Sequence, residues 1–110
     1  MMKLALSPAA AALLRALLSR AGIDRDRILL TEFRSIDWQS LIFVGERHEI
    51  ELRIPPPDAI SLANRISDRL ADSEFAISRQ IVADIGLERP PISNRDGSVT
   101  LRIEALTIAE

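Results

Sequence analysis

The stretch Ile28–Ile54, ILLTEFRSIDWQSLIFVGERHEIELRI, decides the fold because it contains two strand-like patterns and one turn signal. In its second half, His48, Ile50, Leu52 and Ile54 alternate with charged residues. A period of two is typical of a β-strand that is buried on one side. A shift of one residue would bury the charges instead, so the apolar set must face the core. The pattern therefore predicts a long β-hairpin.

Gly45 provides the turn signal of this hairpin. A type II′ turn needs a residue with positive φ at its first central position, which favours a two-residue loop over Val44–Arg47. In that register Leu41 and Phe43 would join the apolar face. The apolar residues of the incoming strand change parity, which predicts a bulge between Arg34 and Trp38. A separate short strand before a turn at residues 35–37 is the alternative.

Two helices and a second hairpin flank this stretch. Ser7 is a good N-cap, Pro8 suits the first helical position, and Gly22 suits the position after the helix. The first helix has an apolar stripe that consists of Ala10, Leu13, Leu14, Leu17, Leu18 and Ala21. The second helix is predicted to begin at Pro57 or Asp58 and to bury Ile60, Ala63, Ile66 and Leu70.

The last third of the chain alternates apolar and polar residues twice. The first strand is predicted around Ile81–Leu87 and the second from Val99, with the loop 88–98 between them. The parity of the apolar residues changes after Ala105, which predicts another bulge there. The order αββαββ favours an α+β two-layer sandwich, in which a four-stranded antiparallel sheet carries both helices on one face. The 110 residues are predicted to form a single domain, 1–110.

Composition and charge limit the classes of function. The chain has no cysteine, so disulfides, thiolate metal sites and cysteine nucleophiles are excluded. A net charge of −2 and few aromatic residues argue against nucleic-acid binding. No apolar run approaches the length of a membrane span. The N-terminal segment is interpreted as a native helix rather than a cleaved leader, which predicts a cytoplasmic protein. No cofactor and no metal are predicted.

The face opposite the core contains the most informative oddity. In the predicted register Trp38, Ile42 and Val44 share that face, where polar residues are expected. The aliphatic stems of Arg47 and Arg53 could cover them, or the group could be a contact surface, since Trp and Arg are typical interface anchors. The sequence therefore identifies these five residues, with the sole histidine, His48, as binding or interface candidates.

No catalytic motif surrounds His48, so a buried structural imidazole is favoured over a general base. We predict a small cytoplasmic interaction or assembly module without catalytic activity, forming a homodimer or binding a protein partner. The alternative is a small-molecule-binding or enzymatic domain with a site near His48, Trp38 and the loop 88–98.

Overall fold

The computed structural model describes residues 6–110, so residues 1–5 of the predicted N-terminal segment lie outside the described residues. Two helices and five strands follow one another along the chain. They are α1 (Pro8–Ala21), β1 (Leu29–Gln39), β2 (Val44–Ile54), α2 (Ala59–Ser67), β3 (Gln80–Leu87), β4 (Ile92–Ser93) and β5 (Val99–Ala109). Two short 3₁₀ turns, Arg25–Arg27 and Leu70–Asp72, precede β1 and follow α2.

Helix α1 forms as its local signals predicted. The Ser7 hydroxyl accepts a hydrogen bond from the Ala10 N–H at 3.1 Å, which satisfies one of the free donors of the first turn. Pro8 occupies the first turn, and Gly22 ends the helix with φ of 68°. Every residue of the predicted apolar stripe is buried. The prediction of this helix is therefore confirmed.

All strand pairs in the described residues are antiparallel, in the order β1-β2-β5-β3, with β4 also paired to β5. The α+β class is confirmed, but the predicted number of four strands was wrong. Ile92 and Ser93 pair with Thr100 and Val99, so the loop between β3 and β5 contains a fifth short strand. Pro90 and Pro91 precede it, and the proline-rich composition concealed it because proline disfavours strands.

The predicted hairpin turn was wrong by several residues. Gln39 pairs with Val44, so the turn is the four-residue loop 40–43 and Gly45 lies inside β2. The Ser40 N–H donates to the Phe43 carbonyl at 2.9 Å, and the Ser40 hydroxyl accepts from the Phe43 N–H at 3.1 Å. Gly45 has another purpose: a Cβ there would collide with the carbonyl oxygen of Thr107 on the neighbouring strand. Glycine permits β2 and β5 to approach closely at this point.

The bulges also lie elsewhere than the sequence predicted. The register of β1 shifts between Leu30 and Glu32, not between Arg34 and Trp38. Strand β5 runs without interruption along β2, and the second irregularity is in β3, between Val82 and Asp84. Because β5 keeps its parity, its alternating buried set continues to Thr107. The apolar residues that follow Ala105 therefore lie on the opposite face.

Buried residues from one face of the sheet and from both helices form a single hydrophobic cluster. We call this face of the sheet the core face. Strands β2 and β5 supply its most buried residues: Ile50, Leu52, Ile54, Leu101 and Ile103, none more than 1% exposed. Helix α2 contributes Ala59, Leu62, Ala63 and Ile66, whereas Ile60 is 62% exposed. The prediction that Ile60 is buried was wrong, because the buried residues follow an i, i+3, i+4, i+7 spacing from Ala59, and Ile60 lies outside that stripe.

The other face of the sheet, the outer face, has two ends with different side chains. The tip end is the end next to the turn 40–43, where Trp38 pairs with Gly45 and Gly45 with Ile108. The root end is the opposite end, where Arg53 pairs with Leu29 and Thr100. The candidate residues are distributed between these two ends.

Candidate interaction surface at the hairpin tip

The turn between β1 and β2 is made of apolar side chains that contact little of the protein. Leu41 is 102% exposed, Ile42 82%, Val44 60% and Phe43 46%. We call these four residues the hairpin tip. The prediction that Leu41 and Phe43 face the core was wrong, because both lie in the turn beyond the core. Exposed apolar residues are common singly, but consecutive ones in a turn mark a surface that binds something.

Two of the predicted outward-facing residues take other positions. Ile42 belongs to the turn and not to a strand face. Val44 has the strand parity of His48, whereas Trp38 is paired with Gly45 on the outer face. The prediction that Trp38, Ile42 and Val44 share one face was therefore wrong, because it depended on the misplaced turn.

Trp38 instead lies among other apolar residues at the tip end of the outer face. Across the sheet it is followed by Gly45, Ile108 and Ile81, in register. The next row places Ile36 and Leu106 on either side of Arg47. We call Ile36, Trp38, Ile81, Leu106 and Ile108 the outer-face patch. Ile81 is 51% exposed and Ile36 42%, so part of this patch contacts solvent.

Arg47 is exposed and forms no ion pair with residues 6–110. Its neighbours in the register, Ile36 and Leu106, are both apolar. A guanidinium surrounded by apolar side chains can lie over them and still donate hydrogen bonds to a partner. Arg47 is thus suited to the role of an interface residue, and that role stays a prediction.

The burial and the contacts of His48 are those of a structural residue. It is fully buried, and its Nδ1 lies 2.6 Å from the Ser35 hydroxyl and its Nε2 2.8 Å from the Thr107 hydroxyl. These bonds link β1, β2 and β5. Burial lowers the pKa of the imidazole below its ordinary value, and the nearby charge of Glu46 opposes that shift. The neutral ring, donating at one nitrogen and accepting at the other, satisfies both hydroxyls.

The root end of the outer face contains a cluster of ion pairs, beside the exposed Leu29 and Ile92. Arg102 on β5 contacts Glu88 at 2.6 Å, Glu32 at 2.8 Å and Glu51 at 3.3 Å, which links β1, β2 and the end of β3. The hydrogen bond from Arg102 lowers the pKa of Glu32 and raises the pKa of Arg102 itself. Glu51, one of the charged residues that alternate with the apolar set of β2, belongs to this cluster. Each carboxylate of the cluster has a cationic neighbour.

Arg53, the last of the predicted residues, belongs to a loop contact at the root end. It forms an ion pair with Asp96 and donates to the Ser98 hydroxyl at 3.1 Å. Hydrogen bonds from the Ser98 side chain and backbone, together with Arg53, lower the pKa of Asp96 to about 2. Arg53 lies six residues from Arg47, about 20 Å along an extended strand. Arg53 therefore stabilises the β4–β5 loop and is distant from the hairpin tip.

The alternative site of His48, Trp38 and the loop 88–98 is not assembled. Strand β4 of that loop pairs with Val99 and Thr100 at the root end, whereas Trp38 lies at the tip end. Four concavities have volumes of about 1120, 630, 470 and 350 Å³: one lies against α2, one before β3, one beside α1, and one between α1 and residues 76–78. None of the four is lined by His48 or Trp38.

Neither a metal cluster nor an unsatisfied polar group indicates a small ligand in the part of the chain that the structure describes. No group of three or more His, Asp or Glu side chains among residues 6–110 is arranged to hold a metal ion. Every buried side-chain nitrogen and oxygen atom there has a hydrogen-bond partner. No helix among these residues combines the length and apolar character required to cross a bilayer.

The sequence matches no protein-family model and no curated protein at a significant level. In structure, the chain is similar to a chain of the virion of a native gene transfer agent particle, with a TM-score of 0.69. The alignment covers 96% of this chain and 100% of that chain, at 14% sequence identity. The likeness shows a shared fold over nearly the whole chain.

The sequence missed several of these surface residues. Leu41 and Phe43 were assigned to the core, and the predicted bulge after Ala105, which would have turned Leu106 and Ile108 inward, is absent from β5. One signal was available. The run Leu41–Val44 contains four consecutive apolar residues, which fits neither a half-buried strand nor a solvated turn.

Proposed function

We propose that this protein is a non-catalytic structural subunit that assembles with other protein chains through the hairpin tip and the outer-face patch. The observation that carries this proposal is the hairpin tip itself, in which Leu41 and Ile42 are almost fully exposed. Exposed apolar surface of this kind is stabilised when a partner removes it from water, by about 25 cal/mol per Å².

The fold comparison supports the same role. A chain of similar fold and the same extent is part of a virion particle, which is an assembly of protein subunits. The predicted two-layer arrangement, with both helices against the core face, would leave the outer face free for partners. The predicted homodimer is the smallest such assembly, and the cytoplasm stays its predicted location.

The interior of the chain supports a structural role as well. His48, the only histidine, is fully buried and bonded at both nitrogens, so it offers no free base. A general base must reach the proton that it abstracts from a substrate, directly or through one water. The small-molecule alternative would need a different set of residues from the one that the sequence indicated.

Native mass spectrometry of the purified protein tests the proposal. We expect masses that are integer multiples of the chain, with a distribution that shifts to larger species as concentration rises. A chain that stays monomeric at millimolar concentration would contradict self-assembly. A monomer with a reproducible small added mass would favour the ligand-binding alternative instead.

A further inference from the structure

We propose that the hairpin tip of one copy docks into the groove beside α1 of a second copy, so that copies associate head to tail. The inference rests on the proposed assembly role and names both the partner and its site. The groove has a volume of about 470 Å³. Pockets that enclose apolar groups span about 300–1,000 Å³, so its size suits several apolar side chains.

The lining of the groove matches the tip in polarity. Its floor is apolar and includes Leu6, Ala11, Leu14, Leu18 and Ile23. The concavity against α2 is lined instead mainly by polar and charged residues, such as Asp58, Asn64 and Arg65. An apolar side chain that packs on the floor of the α1 groove loses contact with water.

The tip cannot reach the groove of its own chain. Residues 23–25 of the groove come just before β1, whereas the tip follows the last residue of β1. An 11-residue strand spans roughly 35 Å at ~3.3 Å per residue. A contact between a hairpin tip and an α1 groove must therefore join two molecules.

Charges beside the tip and beside the groove are complementary. Directly behind the tip, Asp37 pairs with Glu46 across β1 and β2, and like charges in such a position are destabilising. Neither carboxylate forms an ion pair with residues 6–110. The rim of the groove contains Arg15 and Arg25, with Asp24 beside them.

Those two arginines are available for a partner. Arg15 forms no ion pair within the described residues, and Arg25 donates to the Ile28 carbonyl at 2.7 Å. A docked tip would bring Asp37 and Glu46 of one copy near the arginine rim of the next. The unfavourable carboxylate pair would then be compensated between molecules.

A contact between two different surfaces has a geometric consequence. Each copy keeps one free tip or one free groove, so the contact repeats until a ring closes or a filament extends. A tip-to-tip contact would be two-fold symmetric and would stop at the dimer. The two arrangements therefore respond differently to variants of the tip and of the groove.

Mixing two blocked variants tests the inference. Ile42→Asp places a charge in the tip, and Ala11→Glu places a charge in the groove on a helix that tolerates glutamate. We expect each variant alone to associate at least ~10-fold more weakly than the wild type, as for an interface hot spot. Mixed together, they should form a one-to-one heterodimer, because the first retains an intact groove and the second an intact tip.

Two controls match these changes outside the proposed contact. Ile60→Asp alters another exposed isoleucine, and Ser61→Glu adds the same charge to α2. Both should associate as the wild type does in sedimentation velocity, and circular dichroism should show that all four variants fold.

The possible results separate the inference from the proposed function. If Ala11→Glu assembles like the wild type while Ile42→Asp does not, the tip binds elsewhere and the head-to-tail contact is wrong, but the assembly role stands. If both variants assemble like the wild type, the tip is not a docking element and both proposals fail.

Discussion

The two ends of the outer face differ in what their side chains contact. At the root end, Arg102 forms ion pairs within 3.3 Å with three carboxylates, those of Glu32, Glu51 and Glu88. At the tip end, Ile36 and Ile81 are exposed to solvent, and the adjoining turn exposes Leu41 and Ile42 further. The root end also exposes Leu29 (52%) and Ile92 (40%), so the two ends differ chiefly in the ion pairs of the root and in the almost fully exposed Leu41 and Ile42 of the turn.

This difference shows where the molecule has unused binding capacity. Ion pairs that are complete within the chain gain little from a partner, since exposed pairs contribute only about 0–1 kcal/mol. Apolar groups in water gain free energy from any complementary surface. The tip end, and not the charged root end, is therefore where partners are expected to bind.

The largest effect on stability should come from the core behind the root end. Leu101 on β5 is 0% exposed, and Leu101→Ala should lower the free energy of unfolding by about 2–5 kcal/mol, because it leaves a cavity. Leu41→Ala makes the same chemical change at a fully exposed position and should alter stability by no more than about 0.5 kcal/mol. Urea denaturation of both variants measures the contrast, and equal losses would contradict the assignment of Leu41 to the turn.

A smaller loss of stability is expected at His48. His48→Ala leaves the hydroxyls of Ser35 and Thr107 without their partner, which should cost about 1–3 kcal/mol. Arg47→Ala, the exposed neighbour on the same strand, serves as the control and should change stability by at most about 0.5 kcal/mol. Chemical denaturation at neutral pH compares the two.

His48 also predicts a pH dependence with a definite sign. Burial lowers the pKa of the folded protein's imidazole, so the unfolded chain, with a pKa near 6.5, binds the proton more readily. The stabilisation is fully present above pH ~6.5 and is lost as pH falls below that value. Denaturation between pH 5 and 7 should show this slope in the wild type and not in His48→Ala. A slope that persists in the variant would assign it to other groups.

Local signals in the sequence were sufficient for some elements and not for others. Helix α1 was predictable because Ser7, Pro8 and Gly22 act within a few residues of the groups that they cap. The hairpin turn was not, because Gly45 is required by a strand that begins more than 50 residues later. A glycine that permits a close approach between strands has the same sequence signature as a glycine in a turn.

The candidate site, like the fold, was predictable in part. Trp38 and Arg47 were identified as outward-facing from the period of the strands, and both lie at the tip end. The role of Leu106 and Ile108 was hidden because the bulge predicted after Ala105 is absent: β5 keeps its register along β2, and the irregularity lies in β3 instead. Pairing partners of this kind become visible only in three dimensions.

Among changes outside the hairpin tip, those at the root-end ion pairs should alter stability least. Arg102→Gln should raise the pKa of Glu32 towards its ordinary value of 4.5, because the hydrogen bond and the positive charge that lower it are removed. The stabilisation from this pair exists above that pH and is lost as the pH falls through the lowered pKa. A carboxyl NMR titration measures the change, with Arg34→Gln as the control that keeps the Arg102 contact. An unchanged Glu32 pKa in Arg102→Gln would show that the ion pair is not formed in solution.

The most direct test of the account compares two isoleucines on the same molecule. Sedimentation velocity over a range of concentrations should show that Ile42→Asp associates at least ~10-fold more weakly than the wild type, whereas Ile60→Asp associates normally. Both variants should unfold at nearly the same denaturant concentration as the wild type, because both side chains are exposed. Equal association of the wild type and Ile42→Asp would contradict the central claim that the hairpin tip is the docking element of this protein.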